Sequence, residues 1–335
     1  MKLKFERNEN YCYLFNYKTG KSVTIENNKF FERKEGPNLL DVSITSRCNR
    51  CCDFCYRQSS WQGKDISFDD YKLIIEHAKD CGVQQIALGG GEPTLHPNFC
   101  EILKLTKENG IVPNYSTNGD NLDDNILLIT QEYCGAIAVS AYDDINKYES
   151  LIERLAKYNI TVNLHLILRA DKIKDYLNFL NNPPCWLKNI NAIIFLNYKP
   201  ANGNKELCFK NSDKKIIKEF FEVVTSFDYC GIGFDTCSIS FLCKHMLLDD
   251  SLYDFCEAGR KSAYINENLD VYPCSFYFAE GVNLKNDSLR SIWETSNSFV
   301  RHREILKQYD ANCAMVESCR RGCPIYDINF CDGCL

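Results

Sequence analysis

The amino-acid sequence predicts an α/β fold built on a parallel sheet. Between residues 39 and 235, short β-rich runs alternate with amphipathic helical stretches, and the β-rich runs are almost continuously apolar. That combination is typical of strands that helices bury on both faces. Roughly six or seven strand–helix units are too few for a complete eight-unit barrel. An open partial barrel and a doubly wound sheet both fit, and in each the chemistry lies at the carboxyl ends of the strands.

The predicted elements follow from the local sequence. Strands are expected at residues 39–45, 84–88, 112–116, 136–141, 161–168, 192–198 and 231–235, and helices at 68–80, 97–109, 123–132, 145–158, 171–180 and 212–227. Ser67 is the expected N-cap of the first helix, and Gly110 follows the second helix as its C′ residue. Asn118 and Gly119 mark a turn after the third strand.

Two segments depart from this alternation. Residues 1–38 predict a β-hairpin extension, with strands at 11–17 and 21–25 around the turn Lys18-Thr19-Gly20. Residues 39–240 form the predicted strand–helix domain. Residues 241–335 are irregular and rich in cysteine, which indicates a further small domain held by something other than an apolar core.

The cysteine content is the unusual feature of the composition. The 335 residues include 20 cysteines and carry a net charge of −6. The start of the chain lacks the apolar stretch of a signal peptide, and no apolar run approaches the length of a membrane span. Metal or cluster ligation in a reducing cytoplasm is therefore favoured over a disulfide scaffold. The mixed, acidic charge argues against broad nucleic-acid binding, so neither nucleic acid nor a membrane is an expected partner.

A cysteine motif follows the first predicted strand. Cys48, Cys52 and Cys55 have the spacing C-x3-C-x2-C. Three thiolates on a short loop can hold three irons of a cubane cluster and leave the fourth iron open to a substrate. Cys51 is interpreted as a bystander. The alternative is a structural zinc loop. A zinc site would need a fourth ligand, and no histidine follows nearby in the sequence.

This loop resembles the signature of the radical S-adenosylmethionine (SAM) superfamily, in which an aromatic residue, here Phe54, precedes the last cysteine. The second predicted strand ends in Gly90-Gly91-Glu92, which resembles the Gly-Gly-Glu motif of that family. The resemblance implies a partial (β/α)6 TIM-like barrel, a [4Fe-4S] cluster and SAM as cofactors. The glycines would let the backbone approach the methionine part of SAM, and Glu92 would accept hydrogen bonds from its α-ammonium group.

Weaker matches to the same family lie in or after the later strands. The resemblance implies cofactor contacts for Ser116, Asn118, Ser140, Asn163, Arg169 and Asn197. Among these, Arg169 would pair with the methionine carboxylate, and Asn197 would lie near the adenine. The alternative for each residue is ordinary turn chemistry or a polar group satisfied within the fold.

The C-terminal cysteines resemble the SPASM domain, which binds auxiliary iron–sulfur clusters in radical enzymes that modify peptides. The order Cys256, Cys274, Cys313-x5-Cys319-x3-Cys323, Cys331 and Cys334 carries this resemblance. It implies that cluster I uses Cys256, Cys274 and Cys323. Cluster II would use Cys313, Cys319 and either Cys331 or Cys334. The alternative is a zinc-stapled domain.

Two departures from the SPASM pattern leave ligands open. Asp310 stands where the family has a cysteine, so either Asp310 is a ligand or cluster II uses both Cys331 and Cys334. Cluster I lacks an evident fourth ligand; Cys237 and Cys243 are candidates, and the alternative is an iron left open for the substrate. Cys237 follows a short predicted strand and is also a candidate catalytic hydrogen-atom donor.

The resemblance implies a radical SAM enzyme that abstracts a hydrogen atom from a peptide, in particular a ribosomally made precursor. The outcome would be a crosslink, a thioether, an epimerised residue or an oxidised side chain. Expected partners are the peptide, a flavodoxin or ferredoxin as electron donor, and a separate leader-binding protein, in an anaerobic cytoplasm. The alternatives are a radical enzyme acting on a small metabolite or carbohydrate, and a zinc-bound scaffold without catalytic activity.

Overall fold

A computed structural model describes residues 3–7, 11–26, 32–246, 254–308, 319 and 322–326. The chain divides into two compact units. The first unit comprises Met1–Ala138, Tyr158–Ile160 and Glu257–Ile305. The second unit comprises Val139–Lys157, Thr161–Cys256 and Leu306–Leu335. No helix among the described residues is long and apolar enough to cross a membrane.

The first unit begins with a small antiparallel sheet. Its strands are β1 (Leu3–Arg7), β2 (Tyr11–Asn16) and β3 (Ser22–Glu26), with β2 in the centre. The predicted hairpin corresponds to β2 and β3, and the prediction is corrected by the additional strand β1. Charged side chains interrupt the β1 sequence LKFER, and its pairing with β2 is what makes it a strand.

Three parallel strands form the centre of the first unit. The strands are β4 (Leu39–Thr45), β5 (Gln85–Gly90) and β6 (Val112–Thr117), and the helices are α1 (Phe68–Asp80), α2 (Phe99–Glu108) and α3 (Asp124–Tyr133). β5 pairs with β4 on one side and with β6 on the other. The Ser67 side chain caps α1 as predicted, because it accepts a hydrogen bond of 3.0 Å from the Asp70 N–H.

The C-terminal part of the first unit extends this sheet. It contains β11 (Ser262–Ile265), β12 (Asp270–Tyr272), β13 (Val282–Asn283), α8 (Leu289–Thr295) and the start of α9 (Asn297–Lys307). β11 runs parallel to β4, with Ser262 opposite Leu39, and β12 and β13 continue antiparallel. Part of the predicted cysteine-rich domain therefore shares a sheet with the first strand of the predicted barrel.

The second unit is also parallel α/β. β7 (Ile137–Ser140) ends within it, and its other elements are β8 (Val162–Leu168), β9 (Ala192–Asn197), β10 (Gly231–Phe234), α4 (Glu149–Lys157), α5 (Ile173–Asn181), α6 (Lys214–Ser226) and α7 (Ile239–His245). β9 pairs with β8 and β10, and Leu168 lies opposite Asn197. The carboxyl ends of these three strands consequently meet at one edge, as the sequence predicts for a parallel sheet.

Candidate active site

The cysteine loop follows β4 directly and is shaped by its own backbone. The Cys48 N–H donates to the Ser60 carbonyl at 2.9 Å, and the Cys55 N–H donates to the Cys52 carbonyl at 3.1 Å. Cys48, Cys52 and Cys55 are half-buried, whereas Cys51 is exposed. The three thiols of the motif are thus less exposed than Cys51, which the sequence analysis interprets as a bystander.

The sulfurs of the loop affect one another. Burial raises the pKa of the Cys48 thiol, and the nearby charges of Glu92 and Cys55 raise it further. The Arg50 N–H donates to the Cys48 sulfur at 3.4 Å, which partly offsets that rise. Phe54 is half-buried on the same loop. Within the described part of the chain, no three His, Cys, Asp or Glu side chains converge on a metal position. The fit to a cluster therefore rests on the type and spacing of these thiols.

The glycines after β5 permit a very close backbone approach. Gly90 has a φ of +122°, and a Cβ atom there would lie 2.0 Å from the Thr45 carbonyl oxygen. A Cβ atom on Gly91 would lie 2.0 Å from the Arg47 carbonyl oxygen. The Gly91 N–H donates to Thr45 at 2.8 Å. These glycines therefore let the end of β5 pack against the start of the cysteine loop. The fold itself requires this close packing, whether or not the glycines also contact SAM.

Glu92 is buried among hydrogen-bond donors, with 1% of its surface exposed. Its Oε1 atom accepts from the Thr94 hydroxyl at 2.6 Å and from the Thr117 hydroxyl at 2.8 Å. Its Oε2 atom accepts from the Asn118 N–H at 2.7 Å. Burial raises the pKa of the carboxyl group, and these hydrogen bonds act in the opposite direction. Glu92 thus ties the turn after β5 to the turn after β6, and its contact with SAM stays a prediction.

The turn after β6 is bonded to the cysteine loop. The Asn118 side chain donates to the Asn49 side-chain oxygen at 2.8 Å, and the Arg50 guanidinium donates to the Asn118 carbonyl at 3.1 Å. The same guanidinium contacts both oxygens of Asp120, at 2.7 and 2.5 Å. Ser116 lies half-buried on β6, one residue before Thr117. Arg50 and Asp120 were missed by the sequence reasoning, although each lies within two residues of a predicted site residue.

Several predicted cofactor contacts lie at strand ends of the second unit. Ser140 is the last residue of β7, Asn197 is the last residue of β9, and Arg169 follows β8 directly. Arg169 is 7% exposed, and its guanidinium forms two 2.8 Å hydrogen bonds to the Asp171 carboxylate. A methionine carboxylate at Arg169 would therefore compete with Asp171.

The prediction for Asn163 is corrected by its place in the sheet. Asn163 is the second residue of β8 and lies opposite Ala192, the first residue of β9. Its side-chain oxygen accepts a hydrogen bond from Asn191 at 2.8 Å. Asn163 lies five positions before Leu168 at the carboxyl end, which is about 16 Å of strand. Asn163 is thus a polar group satisfied at the amino end of the sheet.

The end of β10 carries a buried polar cluster. The Asn197 amide donates to the Cys237 carbonyl at 3.1 Å, and the Lys199 ammonium contacts the Asp235 carboxylate at 3.0 Å. Burial opposes the charge of Lys199, but Asp235 and the nearby thiols raise its pKa above the usual value. The side chain of Cys237 interacts with that of Cys323, and this interaction lowers the pKa of the Cys323 thiol. Lys199 and Asp235 were missed by the sequence reasoning; both follow a strand closely.

The predicted auxiliary ligands fall into three groups. Cys274 is half-buried in the first unit, where its sulfur accepts a hydrogen bond of 3.5 Å from the Phe276 N–H. Cys256, Cys319 and Cys323 are buried in the second unit. The remaining predicted ligands, Asp310, Cys313, Cys331 and Cys334, lie outside the described residues.

Family models match most of the chain. Residues 42–194 match the radical SAM superfamily, and residues 256–324 match SPASM, an iron–sulfur cluster-binding domain. The chain therefore carries a radical SAM domain of the enzyme type over residues 42–194 and a SPASM domain over residues 256–324. A radical SAM domain uses SAM and a [4Fe-4S] cluster, and a SPASM domain binds auxiliary iron–sulfur clusters.

Curated relatives match over different lengths. A tungsten-containing aldehyde ferredoxin oxidoreductase cofactor-modifying protein of Pyrococcus furiosus is 38% identical over 92 residues, which is 26% of this chain and 26% of that protein. The mycofactocin maturase MftC of Mycobacterium tuberculosis is 23% identical over 345 residues, which is 88% of this chain and 80% of MftC. The chain thus spans about a quarter of the first relative and most of the second.

Solved structures share the fold. Streptococcus suis SuiB matches with a TM-score of 0.69 at 14% identity, over 97% of both chains. The enzyme anSMEcpe, solved with SAM and a peptide, matches with a TM-score of 0.68 at 18% identity, over 88% of this chain and 93% of anSMEcpe. SuiB has also been solved with its precursor peptide SuiA. These likenesses agree with the α/β fold class predicted from the sequence.

Proposed function

We propose that this chain is a radical SAM enzyme that removes a hydrogen atom from a peptide substrate. The proposal rests on the hydrogen bonds that join three segments of the first unit: the turn after β5, the turn after β6 and the cysteine loop. Glu92 connects the turn after β5 to Asn118, and Asn118 connects the turn after β6 to Asn49 and Arg50 of the cysteine loop. Parallel α/β folds build their active sites from such turns at the carboxyl ends of strands.

Each part of this arrangement has a role in the proposal. Cys48, Cys52 and Cys55 would hold the [4Fe-4S] cluster, because they combine the required spacing with shared burial. When bound, the cluster and SAM supply a 5′-deoxyadenosyl radical that takes a hydrogen atom from the substrate. The Oε2 atom of Glu92 accepts one hydrogen bond and has a further lone pair, so it can accept from the α-ammonium of SAM.

A peptide is the proposed substrate, and a ribosomally made precursor is the proposed peptide. MftC, which matches most of this chain, is a maturase. SuiB and anSMEcpe, which share the fold over most of their length, have been solved with peptides. The SPASM match supports the same substrate class, because the C-terminal cysteine pattern resembles that of radical enzymes that modify peptides.

The first experiment is an iron and sulfide count after anaerobic reconstitution, with Mössbauer spectroscopy. About twelve irons per chain would indicate the SAM cluster and two auxiliary clusters, and about eight would indicate one auxiliary cluster. The reconstituted enzyme is then given SAM and a reductant, and 5′-deoxyadenosine is measured. Cys52→Ala should abolish its formation, whereas Cys51→Ala should retain it. Stoichiometric zinc without iron would contradict the proposal.

The substrate class requires a separate test. Short peptides encoded beside this gene are synthesised with deuterated side chains and incubated with enzyme, SAM and reductant. Deuterium should appear in 5′-deoxyadenosine, and the peptide should change in mass. Deuterium transfer from a labelled metabolite or carbohydrate, with none from any of these peptides, would favour the alternative substrate class.

A further inference from the structure

A largely buried ion pair joins the cysteine loop to the hairpin formed by β11 and β12. Arg57, two residues after Cys55, donates from its guanidinium to the Oε2 atom of Glu267 at 2.5 Å. The same guanidinium also donates to the Tyr264 hydroxyl. The side chains of Arg57 and Glu267 are only 11% and 10% exposed. Two hydrogen bonds from one planar group therefore fix the course of the chain directly after the cysteine motif.

Glu267 is itself anchored beside the glycine turn. Its Oε2 atom accepts another hydrogen bond, of 3.0 Å, from the Ser43 hydroxyl on β4. β11, which precedes Glu267, pairs in parallel with β4. A Cβ atom on Gly90 would lie 2.6 Å from the Ser43 Oγ atom, so this anchor and the glycine turn are in close contact. The partner of Arg57 is therefore held by the same strand that leads into the cysteine loop.

Two further contacts join the same segments. The Tyr56 ring stacks on the Phe276 ring, with 4.4 Å between the ring centroids. The Lys64 ammonium donates to the Asn268 side-chain oxygen at 2.7 Å. Arg57 combines charge with near-complete burial, whereas Lys64 is exposed. Among these contacts, the ion pair of Arg57 is thus the one that water and salt weaken least.

A buried ion pair adds geometry to a fold more than stability. The cost of removing two charges from water roughly cancels their attraction, and apolar side chains of similar volume often stabilise a fold equally well. The planar guanidinium, however, bonds its acceptors only in a defined orientation. An ion pair in this place therefore indicates a requirement for a particular arrangement of the loop.

We infer that Arg57 is a positioning residue, which together with Glu267 holds the cysteine loop in the arrangement that cluster and SAM binding require. The inference rests on the proposed function, since it needs the SAM cluster at this loop. It gives the β11–β12 hairpin, which lies within the SPASM match, a task at the radical SAM site that is separate from binding auxiliary clusters.

The test removes both charges at once. Arg57→Met combined with Glu267→Met replaces the ion pair with apolar side chains, so the thermal midpoint of the iron-free protein should change little. After anaerobic reconstitution, the rate of 5′-deoxyadenosine formation should fall roughly ten- to hundred-fold, because small misplacements near reacting groups have effects of this size. The change that SAM causes in the electron paramagnetic resonance spectrum of the reduced enzyme should also be weakened or altered. An ion pair that only stabilises the fold would leave that spectral change intact.

Hydrogen–deuterium exchange of the iron-free protein gives a readout that needs no cluster. Residues 56–64 should exchange faster in the double variant than in the unaltered protein. Arg303→Met is the matched control, because Arg303 is also an arginine of low exposure, at 8%, and donates to the carbonyls of Gly259 and Trp293. It should lower the thermal midpoint but leave both the exchange of residues 56–64 and the SAM-induced spectral change as they are.

Two single variants support the double variant. Glu267→Met alone should lower the thermal midpoint more than the double variant does, because it leaves the charge of Arg57 buried without its carboxylate. Arg57→Lys takes the place of the double variant if circular dichroism shows that the latter misfolds. Lysine keeps the charge but lacks the planar fork, so the spectral change and the exchange should be altered in the same direction.

The outcomes separate the inference from the proposed function. If the unaltered enzyme forms 5′-deoxyadenosine, and the folded double variant matches it in rate, spectral change and hydrogen exchange, Arg57 does not position the loop. If the unaltered enzyme forms no 5′-deoxyadenosine and its spectrum does not respond to SAM, the proposed function fails and the inference fails with it.

Discussion

The Glu92 carboxylate accepts the backbone N–H of Asn118 at 2.7 Å, across 26 residues of sequence. Both residues are buried, and the hydrogen bond joins the turns that follow two neighbouring parallel strands. Asn118 in turn contacts Asn49 in the cysteine loop at 2.8 Å. A change at Glu92 should therefore reach the cysteine loop through the backbone as well as through any direct contact with SAM.

Glu92→Gln should reduce both stability and SAM binding. The Asn118 N–H and the Thr94 N–H both point at the carboxylate, so the NH2 group of glutamine would face one of these donors. A buried donor without a partner costs about 1–3 kcal/mol. The thermal midpoint and the Kd for SAM measure the two effects. Glu101→Gln, on the exposed surface of α2, is the control and should change neither quantity.

The glycine turn offers three adjacent positions with different expected outcomes. Gly91→Ala places a methyl group 2.0 Å from a backbone oxygen of Arg47, and Gly90→Ala meets Thr45 at the same distance with a positive φ. Each should cost about 3 kcal/mol or more, because backbone on both sides must move. Gly89→Ala should be tolerated, since no atom lies within 4 Å of its added methyl group. Denaturant unfolding ranks the three variants. Equal stability of all three would contradict the close approach.

The ion pair of Arg50 and Asp120 should slow the loss of the SAM cluster. The pair is partly exposed, so its loss is expected to cost only about 1 kcal/mol. A change of that size corresponds to roughly five-fold in an opening equilibrium of the loop. The Arg50→Met variant should accordingly lose its cluster several times faster than the unaltered enzyme after a chelator is added. The decrease in visible absorbance measures this loss. Lys72→Met removes another exposed ion pair, with Asp69 on α1, and should bleach at the rate of the unaltered enzyme.

His302 should contribute to loss of stability in acid. It is 1% exposed, and burial together with the neighbouring charge of Arg303 lowers its pKa from 6.5 to about 4. The unfolded chain therefore binds more protons between these values, so stability is complete above about pH 6.5 and falls as the pH drops toward 4. The full loss is about 3 kcal/mol.

Replacing His302 with phenylalanine tests this expectation. The variant should lose part of the decline in thermal midpoint between about pH 6.5 and pH 4. The ring of Tyr277 packs edge-on against the His302 ring, with 6.2 Å between the ring centroids. The difference in thermal midpoint between the variant and the unaltered enzyme at about pH 8 therefore gives the cost of replacing the His302 ring at this contact. Parallel curves for the two proteins over the whole acid range would show that His302 does not titrate as expected.

Much of the architecture was predictable because its signals are local. The predicted ranges for α1 and β4 agree with the structure residue by residue, since cap residues and apolar periodicity lie within a few positions of each other. The spacing of Cys48, Cys52 and Cys55 is local in the same sense. β1 was missed because the apolar–charged alternation in LKFER spans only five residues, and its pairing with β2 decides its conformation.

Taken alone, the sequence of this protein determined the alternation of strands and helices, the cysteine motifs and the Gly-Gly-Glu turn. These are patterns of covalent spacing, which need no knowledge of how the chain folds back on itself. Only the tertiary structure decided that Glu92 accepts hydrogen bonds from Thr94, Thr117 and Asn118, and that Cys237 lies beside Cys323 and Lys199. Strand register and burial bring such partners together, and no spacing in the sequence encodes a contact between residues so far apart.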